Sequence, residues 1–147
     1  MTQSEAKLFF IDTLKQEQSI FSTYDDVNES TVSIGFNGQH LEKVNIYITF
    51  MPSEEGYCTV TLGCFALPNF STRYQKGLEL CNQLNNTEMV KFYLDKEGYV
   101  TMYAALSFNS FGVSNEFSPK QILSTASVMA LCADRAYPMF QQALLQD

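Results

Sequence analysis

The sequence predicts an α+β fold: one domain, residues 1–147, in which helices pack on a single antiparallel sheet of five strands. In five segments apolar residues alternate with polar ones, which is the period of a half-buried strand. In three other segments apolar residues recur at helical spacing. No internal repeat and no Gly/Ser/Pro-rich linker interrupts the chain, and its length fits one core. The expected order of elements is αβββαββα.

The first helix is expected at about residues 3–18. Thr2 and Glu5 have the spacing of a capping box, in which each residue satisfies a free backbone N–H of the first turn. An apolar stripe follows at Phe10, Ile11 and Leu14. The polar segment 22–30, STYDDVNES, is interpreted as a connector to the first strand.

Three strands with strict alternation come next, and their inward-facing rows are aliphatic and aromatic. These rows are Val32, Ile34 and Phe36; Val44, Ile46, Ile48 and Phe50; and Cys58, Val60, Leu62, Cys64 and Ala66. The segment 52–56, PSEEG, is expected to close a hairpin between the second and third strands. Pro68 should end the third strand, because proline cannot donate to the sheet ladder.

The middle helix is predicted from a stripe formed by Tyr74, Leu78, Cys81 and either Leu84 or Asn85. Thr72 with Gln75 provides a second capping-box spacing. The segment 85–87, NNT, should end this helix, since asparagine tolerates the left-handed conformation found at many helix ends.

A second hairpin and a long helix complete the chain. The hairpin rows are Val90, Phe92 and Leu94, then Val100, Met102, Ala104, Leu106 and Phe108, and Gly98 suits a positive-φ position in the turn between them. The last helix should begin with Ser118 as its cap, Pro119 in the first position and Gln121 completing a capping box. Pro138 should kink or split it. Its stripe is Ile122, Ala126, Met129, Ala133, Tyr137, Phe140 and Leu144.

Strand alternation also places a set of aromatic side chains on the opposite side of the sheet, interspersed with threonines. They are Tyr47, Tyr57, Phe65, Tyr93, Tyr99 and Tyr103. Two interpretations stay open. Tyrosine and threonine favour strands and form good cross-strand pairs. Alternatively, the six residues form a protein-contact platform, because tyrosine offers a large contact area at low entropy cost.

Charge and the N-terminal segment exclude two classes of partner. The formal net charge is −7, and the nine Lys and Arg residues are scattered, so we expect no nucleic-acid binding. The first 18 residues contain Glu5 and Asp12 and only a four-residue apolar run, which is unlike a signal peptide or a membrane span. We therefore expect a cytoplasmic protein without a membrane partner.

The residues that usually carry catalysis or bind metals form no motif, so no catalytic residue, cofactor or metal site is predicted. Cys58 and Cys64 are roughly 20 Å apart along one strand, too far for a disulfide. The four cysteines include no CxxC pair, and His40 is the only histidine. Acidic pairs occur only in predicted turns, where solvated carboxylates are ordinary.

Three features carry a resemblance to a known family. They are Asn82 and Asn85 near the end of the middle helix, the hairpin KFYLDKEGYVTM (91–102), and FGVS (111–114) before the last helix. Together they resemble the YbjN-domain family, described as bacterial sensory transduction regulators, most closely over residues 74–145. Many relatives carry Trp where this chain has Leu84. We expect Asn82 and Asn85 to end the helix and to hydrogen-bond to the hairpin that follows. The resemblance implies a fold like that of the dimeric type III secretion chaperones, which bind partly unfolded proteins and are not enzymes.

The leading hypothesis is a non-enzymatic cytoplasmic adaptor, regulator or chaperone-like protein, a homodimer that binds a protein segment. Recognition is expected at the Tyr/Thr side of the sheet or at an exposed strand edge. The alternative is a small-ligand sensor with a pocket between sheet and helices. A third hypothesis, an enzyme, requires a deep cleft with convergent polar groups.

Overall fold

The computed structural model describes residues 2–88, 90–109 and 117–146, which form one α+β domain. Its elements in chain order are α1 (Gln3–Gln16), β1 (Thr23–Asp26), β2 (Thr31–Asn37), β3 (Lys43–Pro52), β4 (Tyr57–Cys64), α2 (Tyr74–Asn85), β5 (Lys91–Leu94), β6 (Val100–Asn109) and α3 (Pro119–Leu145). The order is therefore αββββαββα, one strand more than the sequence predicted.

All strands belong to one antiparallel sheet in the order β1-β2-β3-β4-β6-β5, so the predicted five-stranded sheet is wrong by one edge strand. The added strand is β1, from the segment interpreted as a connector. Three of its four residues are exposed and only Tyr24 is half-buried, so it has no hydrophobic alternation to reveal it. β1 is a strand because its backbone pairs with β2, from Thr23 opposite Gly35 to Asp26 opposite Val32.

The three helices cover one side of the sheet, and the core lies between the two layers. Most of the predicted apolar rows are confirmed as buried; Ile34, Ile46, Ile48 and Leu62 are fully buried. The members that are only half-buried are Ala66, which lies beyond the end of β4, Leu94, Ala104 and Leu106. Ring contacts connect the layers, with centroid distances of 5.6 Å between Phe10 and Phe50 and 5.7 Å between Phe92 and Phe140. The same alternation that buries these rows turns the intervening residues away from the helices.

α1 begins as predicted, and α3 has its predicted cap and first residue but, at its described residues, lacks the return bond from the Gln121 side chain that would complete a capping box. Thr2 Oγ1 accepts from the Glu5 N–H at 3.1 Å, and Glu5 Oε2 accepts from the Thr2 N–H at 2.7 Å, which completes the capping box of α1. In α3, Ser118 Oγ accepts from the Gln121 N–H at 3.2 Å, with Pro119 in the first position. α3 continues through Pro138 without a split, and Phe140, two residues later, is buried against Phe92.

The start of α2 differs from the prediction. The helix begins at Tyr74, and Thr72 forms no cap for it. The preceding turn is tied instead to the second hairpin, because the Phe70 N–H donates to the Gly98 carbonyl at 2.6 Å. α2 ends at Asn85, as expected, but Asn86 keeps right-handed backbone angles (φ −78°, ψ −22°) rather than the anticipated left-handed ones.

Gly98 has the positive φ predicted for it, 88°. A β-carbon there would stand 2.3 Å from the Ser71 backbone nitrogen. Glycine is therefore required at position 98 for two reasons: the positive φ of the turn, and the close approach of the segment that leads into α2.

Candidate protein-contact face

The side of the sheet turned away from the helices carries alternate residues of every strand. We term it the open face. Strand register aligns these residues in rows that cross the sheet, and one row spans all six strands: Asp25, Ser33, Tyr47, Gly63, Tyr103 and Lys91. The next row is Thr31, Thr49, Thr61 and Ala105, and the one after it is Met51, Thr59 and Ser107.

All six aromatic residues predicted for this side are exposed: Tyr47, Tyr57, Phe65, Tyr93, Tyr99 and Tyr103. The exposed fraction runs from 38% for Tyr47 to 61% for Phe65. Large side chains with this much solvent contact gain little from the fold of their own chain. They are available to another molecule, which is the condition that a contact platform must meet.

Four of the six form a cluster around Gly63. Tyr47 and Tyr103 flank this glycine on the neighbouring strands, and the Phe65 ring lies over it, 3.4 Å from where a β-carbon would be. The Tyr47 and Phe65 ring centroids are 5.9 Å apart. Tyr93, on the edge strand β5, is opposite Thr101 and diagonal to Tyr103.

Tyr57 and Tyr99 lie apart from this cluster. Tyr57 is six residues from Gly63 along β4, or roughly 20 Å at the usual strand rise. Tyr99 precedes β6 at the tip of the second hairpin and pairs there with Asn69 in an isolated bridge. The predicted platform is therefore one cluster with two outlying tyrosines.

The centre of the open face is flat, hydroxylated and uncharged. Thr31 Oγ1 and Thr49 Oγ1 share a hydrogen bond of 3.1 Å across β2 and β3. Among the described residues of the three rows, charge occurs only at the ends of the first one, on Asp25 and Lys91. An uncharged, aromatic centre with charge at its rim is the usual composition of a protein–protein interface.

The β5 edge of the sheet, one of the two edges open to an added strand, is blocked by Asn85. Its Oδ1 accepts from the Phe92 N–H at 2.7 Å and its Nδ2 donates to the Phe92 carbonyl at 2.9 Å. The side chain thus occupies the donor and acceptor that an incoming strand needs. The predicted bonding of Asn85 to the hairpin is confirmed. Asn82 is exposed and makes no such bond to the hairpin residues that the structure describes.

The β1 edge is only four residues long and acidic. Lys7 Nζ donates to Asp26 Oδ1 at 2.7 Å and to the Asn28 carbonyl at 3.1 Å, which ties α1 to this edge. Short, charged edges resist strand addition. Of the two predicted recognition routes, the geometry favours the open face over either edge.

Asp134, which the sequence patterns did not single out, fixes the β2–β3 loop to α3. Its carboxylate accepts the backbone N–H groups of Gln39, His40 and Leu41 at 2.8–2.9 Å, and its exposed fraction is 7%. Burial acts to raise the pKa of this carboxyl, but the three N–H donors outweigh it and hold the pKa below its ordinary value. The signal in the sequence that could have pointed to Asp134 is its position as an acidic residue beside the apolar stripe of α3.

Gly38 is part of the same arrangement. A β-carbon there would stand 2.4 Å from Asp134 Oδ1 and 2.3 Å from the Leu41 carbonyl oxygen. Only glycine lets the loop close around the carboxylate, so Gly38 and Asp134 together form a structural clamp.

A cleft of about 490 Å³ opens beside this clamp, between the β2–β3 loop and α3. Its lining includes Ile20, Phe36, His40, Leu131, Asp134 and Arg135. The polar groups are largely engaged with the protein itself, since Asp134 binds the loop and Arg135 Nη2 contacts Glu88 Oε2 at 2.7 Å. The apolar walls of the cleft, where Leu131 is 60% exposed, are therefore the surface that a ligand would contact.

The cysteine and histidine side chains, which commonly carry catalysis, are either buried in the core or exposed on the surface. All four cysteines are buried, and burial raises the pKa of the Cys64 and Cys81 thiols to about 11. Their reactive thiolate form is therefore scarce near neutral pH. His40 is exposed in the clamped loop. Within residues 2–88, 90–109 and 117–146, no group of three or more His, Cys, Asp or Glu side chains could hold a metal ion.

Comparison with known proteins adds no relative: no family model matches the chain, and no curated protein is significantly similar to it. The YbjN-domain resemblance stays a prediction, as does similarity to type III secretion chaperones. Its FGVS segment lies outside the described residues. No helix among the described residues is long and apolar enough to cross a membrane.

Proposed function

We propose that this chain is a non-enzymatic, cytoplasmic protein-binding domain, an adaptor, regulator or chaperone-like protein that acts as a homodimer and binds a protein segment. The open face is its contact surface. The YbjN-domain resemblance favours the same role, since it implies a dimeric, non-catalytic binding protein.

One observation carries the proposal: six large aromatic side chains are exposed, four of them in one cluster, on a sheet face that none of the described helices covers. Monomeric proteins rarely leave a contiguous patch of this kind without a binding role. Tyrosine is enriched at interfaces because its ring gives area and its hydroxyl stays hydrogen-bonded at the rim. The uncharged centre removes the desolvation cost that buried charges impose.

The remaining features support binding rather than chemistry. The buried cysteines have raised pKa values, and the Asp134 carboxylate is saturated by backbone donors. Asn85 closes one sheet edge, so an added strand is a poorer recognition mode than face-on contact.

The test is capture of proteins from the native host by the tagged chain and by the Tyr93→Ser/Tyr103→Ser double variant. We expect the wild type to retain a specific polypeptide and the variant to lose it, because the two substitutions remove the exposed rings at one end of the cluster. Captured polypeptides are identified by mass spectrometry, and the far-UV circular dichroism and Tm of the variant should match the wild type.

The matched control is Leu8→Ser/Phe9→Ser, which removes two apolar side chains of equal exposure, 57% each, from α1 on the other side of the molecule. Capture should survive this change. If capture survives the tyrosine substitutions and fails in the α1 control, the open face is not the contact surface.

A second candidate function rests on the cleft beside Asp134. The proposal there is a small-ligand sensor whose ligand fills about 490 Å³ between the sheet and α3 against Leu131 and Ile20. A thermal-shift screen tests it: one metabolite class should raise Tm in the wild type and lose that effect in Leu131→Lys. A flat screen leaves the protein-binding role as the better account.

A further inference from the structure

We infer that the open face packs on a second copy of this chain, around a two-fold axis that runs along the strands between β3 and β4. The inference rests on the proposed function, in which the chain is a homodimer and this face contacts protein, and it assigns the face to the contact between the two copies. In this arrangement β3 of one copy lies over β4 of the other, β2 over β6, and β1 over β5.

The row that spans all six strands is complementary to its own reverse. Read from β1 to β5 it is acidic, small, large, small, large and basic: Asp25, Ser33, Tyr47, Gly63, Tyr103, Lys91. Rotation about the two-fold axis places the same row of the second copy, in reverse order, over the row of the first copy. Asp25 then faces Lys91, Ser33 faces Tyr103, and Tyr47 faces Gly63, each pair occurring twice, as an isologous interface requires.

The neighbouring rows fit the same operation. Thr49 faces Thr61 and Thr31 faces Ala105, so two flat, small surfaces meet. In the next row the exposed Met51 faces Thr59, again large against small. Alternation of large and small residues across facing positions is what lets two layers interdigitate.

The other way of stacking two copies, with the axis across the strands, places each strand over its own counterpart. With that axis along the row that spans all six strands, Tyr47 would meet Tyr47 and Asp25 would meet Asp25, large against large and like charge against like charge. Repulsive pairs of this kind discriminate against an arrangement as effectively as attractive pairs favour one.

The axis passes beside the Tyr47–Phe65 pair, whose centroids are 5.9 Å apart. Because the Phe65 ring lies over Gly63, Tyr47 of the second copy meets that ring rather than bare backbone. Four aromatic rings therefore gather at the centre of the interface. Clustered aromatic residues at the centre of a desolvated patch supply most of the energy of typical interfaces.

The size of the face suits this partner. Six strands at the usual spacing are roughly 24 Å wide, and the 8–10-residue central strands are roughly 30 Å long. A standard stable interface buries about 800 Å² of each subunit. The area of the open face, from its width and length, is of the same order. Two stacked sheets lie about 10 Å apart with strands within about 30° of each other, so contacts near the axis keep the register best.

Sedimentation equilibrium of the purified chain is the first test. We expect a dimer, and we expect Thr61→Lys to weaken it by ~100-fold or more, because two ammonium groups would be buried near the axis. Thr49→Glu, on the facing strand, should do the same and serves if Thr61→Lys fails to fold. The matched control, Gln141→Lys, introduces the same charge on the exposed side of α3, away from the cleft, and should leave the dimer intact.

A charge exchange tests the direction of the axis. Asp25→Lys places an ammonium group over Lys91 of the other copy, and Lys91→Glu places a carboxylate over Asp25, so each should weaken the dimer about tenfold. The double variant should restore it. Lys91 Nζ also donates to the Asn85 carbonyl at 2.8 Å, so thermal melts must show that Lys91→Glu remains folded.

The outcomes separate the two proposals. A monomer at all accessible concentrations overturns this inference, and so does a dimer that survives both Thr61→Lys and Thr49→Glu. In either case, loss of protein capture by the tyrosine double variant would leave the proposed function standing. Dimer dissociation by Thr61→Lys without rescue by the double exchange supports the face but overturns the stated axis.

Discussion

The strands of the sheet present two different surfaces, and β3 shows the contrast within four residues. Phe50 and Ile48 are fully buried under the helices, whereas Tyr47 on the other side is 38% exposed and contacts Phe65. Both sides carry large side chains. The difference is that α1, α2 and α3 pack on the covered side, whereas none of the described helices packs on the open side.

Polar contacts differ between the two sides as well. On the covered side, Asp134 ties α3 to the β2–β3 loop and Asn85 ties α2 to β5, each through several hydrogen bonds. On the open face, the hydroxyl bond between Thr31 and Thr49 joins neighbouring strands of the sheet. The helices are thus fixed to one side by specific polar clamps, whereas the hydrogen bond described on the opposite side joins only neighbouring strands.

The largest expected effect comes from truncating one aromatic residue on each side. Phe50→Ala should lower the free energy of unfolding by about 3–5 kcal/mol, because it leaves a cavity in the core. Tyr47→Ala, on the same strand, should cost about 1 kcal/mol or less. Urea denaturation at pH 7 measures both. Equal losses would show that the open face is part of the folded core.

Asp134→Asn should lower the free energy of unfolding by roughly 2–4 kcal/mol at pH 7, since three buried N–H groups lose a charged acceptor. The exposed Asp12→Asn is the control and should change stability by less than about 0.5 kcal/mol.

The effect of Asp134 should depend on pH. Its folded-state pKa is lowered, so its contribution is complete above the unfolded-state value, about 3.9, and is lost as the pH falls through the folded-state value. The gap between wild type and Asp134→Asn should therefore shrink from pH 5 to pH 2. Urea denaturation across that range measures it, and a constant gap would contradict the clamp.

Asn85→Ala should cost about 1–2 kcal/mol, because the Phe92 N–H and carbonyl lose their partner at the sheet edge. It should also increase aggregation, since the β5 edge becomes open to strand addition. Asn82→Ala, three residues earlier on the same helix, is the matched control and should leave both properties unchanged. Thermal unfolding and light scattering distinguish the two variants.

The smallest expected signal is thiol reactivity. Burial holds the pKa of the Cys64 and Cys81 thiols at about 11, so a thiol reagent at pH 8 should label neither residue in the folded protein. Both should react rapidly in urea. Rapid labelling of Cys64 without denaturant would show that the covered side opens to solvent.

Much of this contrast was predictable because period-two alternation is a local property. It correctly placed Ile34, Ile48 and Leu62 inside and the six aromatic residues outside. Local chemistry likewise predicted the Thr2–Glu5 capping box and the positive φ of Gly98. The strand β1 was missed because its pairing with β2 is made by backbone atoms, which leave no mark on a polar sequence.

The amino-acid order alone determined which side of each strand is apolar and which is rich in tyrosine and threonine, because side-chain direction follows from the pleat of the strand. Tertiary structure decided which of these residues lie next to one another. Only the pairing of six strands set Tyr47, Gly63 and Tyr103 in one row between Asp25 and Lys91, and only the docking of α3 brought Asp134 to the N–H groups of residues 39–41. Those contacts join residues up to 95 positions apart, a distance over which no local pattern carries information.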